Sequence, residues 1–299
     1  MSFRAAEREQ SKSVFWLKVR DYVQLVKLRL ALTVVFSSVM AYLIGLNGSV
    51  AWQSLIILAA GGFLVTGAAN TLNQVLERDY DAMMKRTADR PLAANRMSVS
   101  EAVLAAGLMS LLGITLLAFF NPWTAFLGTL ALVLYAFVYT PVKRISPIAV
   151  TVGALPGALP TLIGVVAAQG TITSLGLALF FIQFLWQFPH FWSIGWLGFE
   201  DYKNAGYRLM PMKGGKPDAA VTWQSILYAL FLIPVVMVPY YVGQTGLFSL
   251  ITLVVLSLVY AVFSWNFYRK QDRKAALMLM FYSISYIPLG LVVLFLDKV

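Results

Sequence analysis

The chain has 299 residues, 60% of them apolar and only 12% charged, where ordinary soluble domains carry about a quarter charged residues. That balance, with a mean hydropathy of +0.75, excludes a soluble globular protein and predicts an integral membrane protein. With no cysteine and a single histidine, disulfides, thiolate nucleophiles, Cys-bound metals and His-rich metal cages are excluded too.

A basic segment, 1–29, opens the chain. It holds Glu7, Glu9 and Asp21 among its bases and no apolar core with a small-residue cleavage site, so neither a signal peptide nor a transit peptide is expected. Nine apolar runs of spanning length follow: Leu30–Leu46, Leu55–Leu76, Val99–Phe119, Thr124–Thr140, Ile148–Ala168, Leu175–Leu197, Ala219–Tyr240, Leu247–Phe267 and Ala275–Leu296. The fifth run contains Gly153-Ala-Leu-Pro156-Gly157-Ala-Leu-Pro160, which a buried bundle helix tolerates because neighbours re-satisfy the freed backbone groups. The prediction is an all-α, single-domain membrane protein spanning 1–299, without a soluble domain or linker.

Charge orients it. Of the 23 Lys and Arg, 22 lie before the first run or in alternate connections, and the other connections carry no charge. The positive-inside rule then predicts a cytoplasmic N-terminus and an outside C-terminus, in a multi-pass protein of the bacterial plasma membrane. The net +10 faces anionic membrane lipid and is not a nucleic-acid footprint. Two connections on that face, 82–98 and 198–218, are long, and each opens with acids followed by bases. That weak internal echo suggests two half-sites meeting over one cavity.

Three constellations carry candidate chemistry. In Asn73-Gln-Val-Leu-Glu77-Arg-Asp79-Tyr-Asp81 the first, fifth and ninth residues share one helix face over about 12 Å. An amide and carboxylates at the end of a span are costly to desolvate and form an oxygen-only set that suits Mg²⁺. Lys85, Arg86 and Arg90 follow, suited to phosphate. The plainer reading is a solvated helix end with i,i+4 charge pairs. The second is Phe188-Pro189-His190-Phe191-Trp192 running on to Glu200-Asp201-Tyr202-Lys203. Asp201 offers another Mg²⁺ carboxylate and Lys203 another phosphate contact, against a capped loop with an exposed acid. The third is Tyr139-Thr-Pro-Val-Lys143-Arg144, either a diphosphate clamp or an interfacial anchor.

Together these residues resemble the UbiA superfamily of intramembrane prenyltransferases. Asn73-xxx-Glu77-xxx-Asp81 with Arg86-Thr87-xx-Arg90-Pro91 is similar to its first Asp-rich motif, and Tyr139-xxx-Lys143-Arg144 to its Tyr-Lys-Arg element. Trp186-Gln187-x-Pro189-His190-Phe191, Asp201-Tyr202-xx-Ala205-Gly206 and the Gly153–Pro160 run resemble the protohaem IX farnesyltransferase branch. Two departures stand out. Glu77 replaces a common Asp, and His190 falls near where the quinone branch has the first Asp of its second motif.

The resemblance implies nine helices around a central cavity open near the cytoplasmic face, and Mg²⁺-dependent farnesyl transfer from farnesyl diphosphate to a vinyl group of haem B. Asn73, Glu77, Asp81 and Asp201 would hold the metal. Lys85, Arg86, Arg90, Tyr139, Lys143, Arg144 and Lys203 would take the diphosphate. His190 would bind or orient the haem, against the plainer reading of a histidine hydrogen-bonded within the bundle. A downstream haem A synthase is the implied partner. Two rival readings are prenylation of a quinone precursor and, from another class, transport of an anionic lipid or metabolite. A transporter needs polar groups near the bilayer midplane, whereas these ionisable residues crowd one face.

Overall fold

The computed structural model describes residues 15–299; Glu7, Glu9 and the rest of the first half of the basic segment lie outside the described residues. Residues 15–25 are helical, with Phe15, Trp16 and Leu17 exposed. Among the described residues nine helices are long and apolar enough to span a membrane. They are α1 (Leu28–Gly45), α2 (Trp52–Asp81), α3 (Val99–Ala118), α4 (Pro122–Val142), α5 (Ala149–Gln169), α6 (Ser174–Leu197), α7 (Ala220–Tyr241), α8 (Leu247–Lys270) and α9 (Arg273–Leu296). The architecture is an all-α membrane bundle. A short hairpin lies in the loop after α6, where Met212–Lys213 pairs with Lys216–Pro217. Gly214 and Gly215 both take positive φ there, as a two-residue turn between twisted strands requires.

Two helices depart from the expected runs. Helix α2 continues past the predicted end at Leu76 to Asp81, giving 30 residues. At 1.5 Å per residue it is about 45 Å long against a hydrocarbon core of about 30 Å, so its polar last turns stand beyond the apolar slab while remaining helical. Helix α4 is interrupted by a π-helical stretch, Leu134–Tyr139. Pro141 explains the interruption: its ring clashes with the carbonyl four residues back, and a wider turn relieves that clash. The Thr140 hydroxyl then donates to the Tyr135 carbonyl at 2.9 Å.

Helix α5 is the most buried span and packs between α1 and α6. Its small residues are contact points. A Cβ on Gly164 would sit 2.1 Å from the Ser38 carbonyl oxygen of α1, and one on Gly157 would sit 2.0 Å from Gln187 Oε1 of α6. Gln187 and Gln183 of α6 donate to the carbonyls of Ala154 and Gly157. These bonds stitch α6 to the proline-bearing stretch of α5, in line with the tolerance expected of a bundle interior.

Candidate active site

The last turns of α2 are held by the chain that enters α1. Between residues 25 and 28 the helix breaks, and Lys27 sits in the left-handed region at φ 51°, ψ 58°. A lysine there is strained by the order of 1 kcal/mol, and neighbouring contacts must hold it. Those contacts come from α2. Asn70 donates to the Val26 carbonyl, and Gln74 to the carbonyls of Gln24 and Leu25, which satisfies acceptors that the helix break leaves open. The break turns Lys27 inward, and its Nζ donates to Asn73 Oδ1 at 2.8 Å.

Asn73, Glu77 and Asp81 are all buried, and each meets a cation. Asn73 takes Lys27 and donates its amide to Thr140 Oγ1 at 3.0 Å, which ties α2 to the turn just after the π stretch. Glu77 pairs with Lys143, itself buried and lying 4.8 Å above the Tyr139 ring. Asp81 Oδ2 accepts from Arg90 at 2.6 Å, while its Oδ1 is buried without a hydrogen-bond partner. The face expected from the sequence is therefore present. It is no solvated helix end: the acids are desolvated and each is answered by a base from another segment. Asp79 points elsewhere; it is exposed and pairs with Arg78.

Burial pulls the Lys27 ammonium down from its ordinary value to about 7, with Arg90 and Lys143 acting in the same direction and Glu77 and Asp81 opposing. Burial also lowers Lys143, with Glu77 as the main opposing influence. Both shifts follow from charge held in a low-dielectric pocket beside like charge.

The two long loops meet over this face. Met84 packs with Ala205 and Tyr207 among Tyr80, Tyr202 and Leu209. Arg86 donates to the Tyr202 hydroxyl at 3.0 Å, and Lys143 lies 5.6 Å from the Tyr207 ring. Arg144 stacks on Tyr80 at 4.0 Å and bonds the Leu76 carbonyl. From the N-terminal side Arg96 joins Asp21, Gln24 and Asp89, strapping the loop 82–98 to the helical stretch 15–25. On α6, His190 stacks on Trp186 at 4.8 Å, and its Nδ1 lies 2.7 Å from Ser283 Oγ.

A profile of the UbiA prenyltransferase family matches residues 34–285. The chain belongs to the UbiA prenyltransferase family. A relative from Christiangramia forsetii, named protoheme IX farnesyltransferase, is 42% identical over 283 residues, covering 93% of each chain. The fold agrees with two solved structures. One, from a study of digeranylgeranylglyceryl phosphate synthase in membranes, has a TM-score of 0.79 at 16% identity and covers 94% of this chain and 98% of that one. The other, a UbiA homologue from Archaeoglobus fulgidus bound to DMAPP and Mg²⁺, has a TM-score of 0.68 at 16% identity, covering 92% and 99%.

Within this family frame the sequence-predicted residues divide. Asn73, Glu77, Asp81, Arg90, Tyr139 and Lys143 form one cluster, and Arg86 and Arg144 rim it. Asp201 does not join. It is half-buried on the short helix Phe199–Asn204, and among the described residues no three acids or histidines come together as a metal cage. Lys203 reaches the Gly215 carbonyl at 3.3 Å, and Lys85 is exposed. Sequence reasoning missed Lys27, Thr140 and Tyr207. Lys27 was absorbed into the charge count that oriented the chain. A lysine directly at the entry of the first span was the available signal.

Proposed function

We propose that this chain transfers a farnesyl group from farnesyl diphosphate to a vinyl group of haem B, with addition of water, to give haem O. The name carried by the 42%-identical relative supports the acceptor and the prenyl donor. The observation that carries the chemistry is the buried face of Asn73, Glu77 and Asp81 matched by Lys27, Lys143 and Arg90. One buried and two half-buried cations beside two buried carboxylates suit a polyanion that arrives with a divalent metal.

Mg²⁺ fits the residues present. The donors are amide and carboxylate oxygens only, and Asp81 Oδ1 is a buried acceptor without a partner. Asn73, Glu77 and Asp81 would hold it, and Asp201, which stands apart from them on the helix Phe199–Asn204, would join only on closing over the bound substrate. When bound, the ion neutralises charge on the diphosphate. The chain's own residues do the rest. Lys27, Lys143 and Arg90 bind the diphosphate, and Lys85, Arg86, Arg144 and Lys203 extend the positive rim. Breaking the allylic C–O bond leaves its electron pair on the diphosphate, whose growing charge these cations stabilise. The vinyl carbon of haem then bonds to the farnesyl cation. Water adds to the resulting porphyrin-side cation and loses a proton. Tyr139 and Tyr207 face the same pocket and shield the allylic cation with aromatic surface. His190 binds the haem iron.

We assign the chain as one domain in a bacterial plasma membrane, N-terminus inside and C-terminus outside, passing its product to a haem A synthase. The cysteine-free sequence makes the orientation direct to test. Single cysteines at Ser98 and Asn47 are expected to react with an impermeant thiol reagent from opposite sides, and labelling from one side overturns the nine-span topology. The function is tested by incubating membranes with haem B, farnesyl diphosphate and Mg²⁺ and weighing the haem. A mass unchanged from haem B rejects it.

A further inference from the structure

Ser283, on α9, is fully buried, and its hydroxyl touches two groups. It donates to the Met280 carbonyl at 2.6 Å and lies 2.7 Å from His190 Nδ1. A hydroxyl has one proton. With that proton directed at Met280, the oxygen offers His190 only a lone pair, so the proton between them must come from the ring. A neutral imidazole protonated on Nδ1 carries its free lone pair on Nε2.

The surroundings lock this arrangement. The His190 ring stacks on Trp186 with planes 16° apart. Trp186 Nε1 donates to the Ser283 backbone carbonyl at 2.7 Å, so the same residue positions both stacked rings. From α8, Tyr260 donates to the Trp186 carbonyl at 3.0 Å. Three helices thus fix the plane and the tilt of one imidazole. Its side chain is only half-buried, so the ring is not sealed in the core. Histidines that ligate metals commonly donate their second N–H to an oxygen, which sets the tautomer and raises the basicity of the ligating nitrogen.

We propose that Ser283 is a positioning residue that holds His190 as the Nδ1–H tautomer and presents Nε2 to the iron of the haem substrate; this rests on the proposed binding of haem B by His190. The seryl hydroxyl touches no substrate. It acts through the imidazole.

Two measurements test it. His190 is the only histidine, so the full chain labelled with ¹⁵N-histidine and held in detergent at pH 8 gives one pair of ring-nitrogen signals. The Nδ1–H pattern is expected, and an Nε2–H pattern overturns the proposal without any mutation. Second, ferric haem B is titrated into the purified chain and followed by its Soret band. Ser283→Ala should weaken binding about tenfold and move the band toward that of His190→Ala, the scale seen when a ligand's outer partner is removed. In the His190→Ala background the same substitution should cost nothing further, which a loss of α6–α9 packing alone does not predict. Equal losses in both backgrounds, or no change on Ser283→Ala while His190→Ala alters the band, overturn the role of Ser283 and leave ligation standing. An unaltered band in His190→Ala removes both. Retained farnesyl diphosphate binding confirms that each variant is folded.

Discussion

Glu77 and Asp81 are 3% and 1% exposed, and each already faces a buried or half-buried cation. Asp201 and Lys203, in the loop that meets this face, show the same pairing of acid and base in sequence. Yet Asp201 is half-buried on a six-residue helix, and Lys203 is exposed and reaches only a loop carbonyl. The contrast separates a region already assembled from one that, under the proposed function, a ligand would have to complete. The first is carried on two long spans, α2 and α4, and cross-braced by Asn73 and Thr140. The second sits on loop structure that meets the first mainly through Tyr80, Tyr202 and Tyr207.

The largest effects are expected in the assembled region. Glu77→Gln and Asp81→Asn keep shape and should lower transfer by at least about a hundredfold, the scale for removing a group that supports developing charge. Glu77→Ala should do more than abolish transfer. It strands Lys143 in a buried site, so a stability loss of about 3–5 kcal/mol is expected in thermal unfolding. Wild-type turnover in either isosteric variant breaks the distinction between the regions.

Lys27 sharpens it. Lys27→Met should weaken farnesyl diphosphate binding by about 2 kcal/mol, roughly thirtyfold. The sign of its pH dependence follows from its lowered value. Below about 7 the free site holds the ammonium and binds the diphosphate directly; above it the amine is neutral and binding must take up a proton. Affinity should therefore fall as pH rises beyond 7. Lys27→Arg, always charged, should flatten that limb in a binding titration.

Asp201→Asn should raise the KM for farnesyl diphosphate about tenfold, less than its counterparts on α2, because a loop acid has more freedom to be replaced by water. A loss as deep as that of Asp81→Asn erases the contrast. Tyr202→Phe, which removes the Arg86 bond between the loops, should change the rate only about twofold, as exposed polar pairs contribute under about 1 kcal/mol.

Much of the fold was legible. Apolar run length set nine spans, and all nine recur as helices because hydrocarbon leaves the backbone no other way to satisfy itself. The spacing of Asn73, Glu77 and Asp81 was legible for the same reason: a helix converts a period of four into a face. Their burial was not. Sequence placed them at a span end, where a solvated state was the plainer alternative, and only packing by the N-terminal stretch and the loop 82–98 removes the water. Lys27 stayed hidden because its direction depends on a helix break two residues wide. The π stretch was hidden too, although Pro141 marked its neighbourhood.

That stretch acts as a phase shifter. One extra residue in a helical turn advances everything beyond it by about 100° around the axis and about 1.5 Å along it. Thr140, which holds Asn73, and Lys143, which holds Glu77, both lie past it. Deleting a single residue between Leu134 and Tyr139 would leave a span of ample length and unchanged hydropathy, yet rotate both side chains off α2 together. The pairing of the two helices is thus set by one turn's width, a quantity that neither composition nor span length registers.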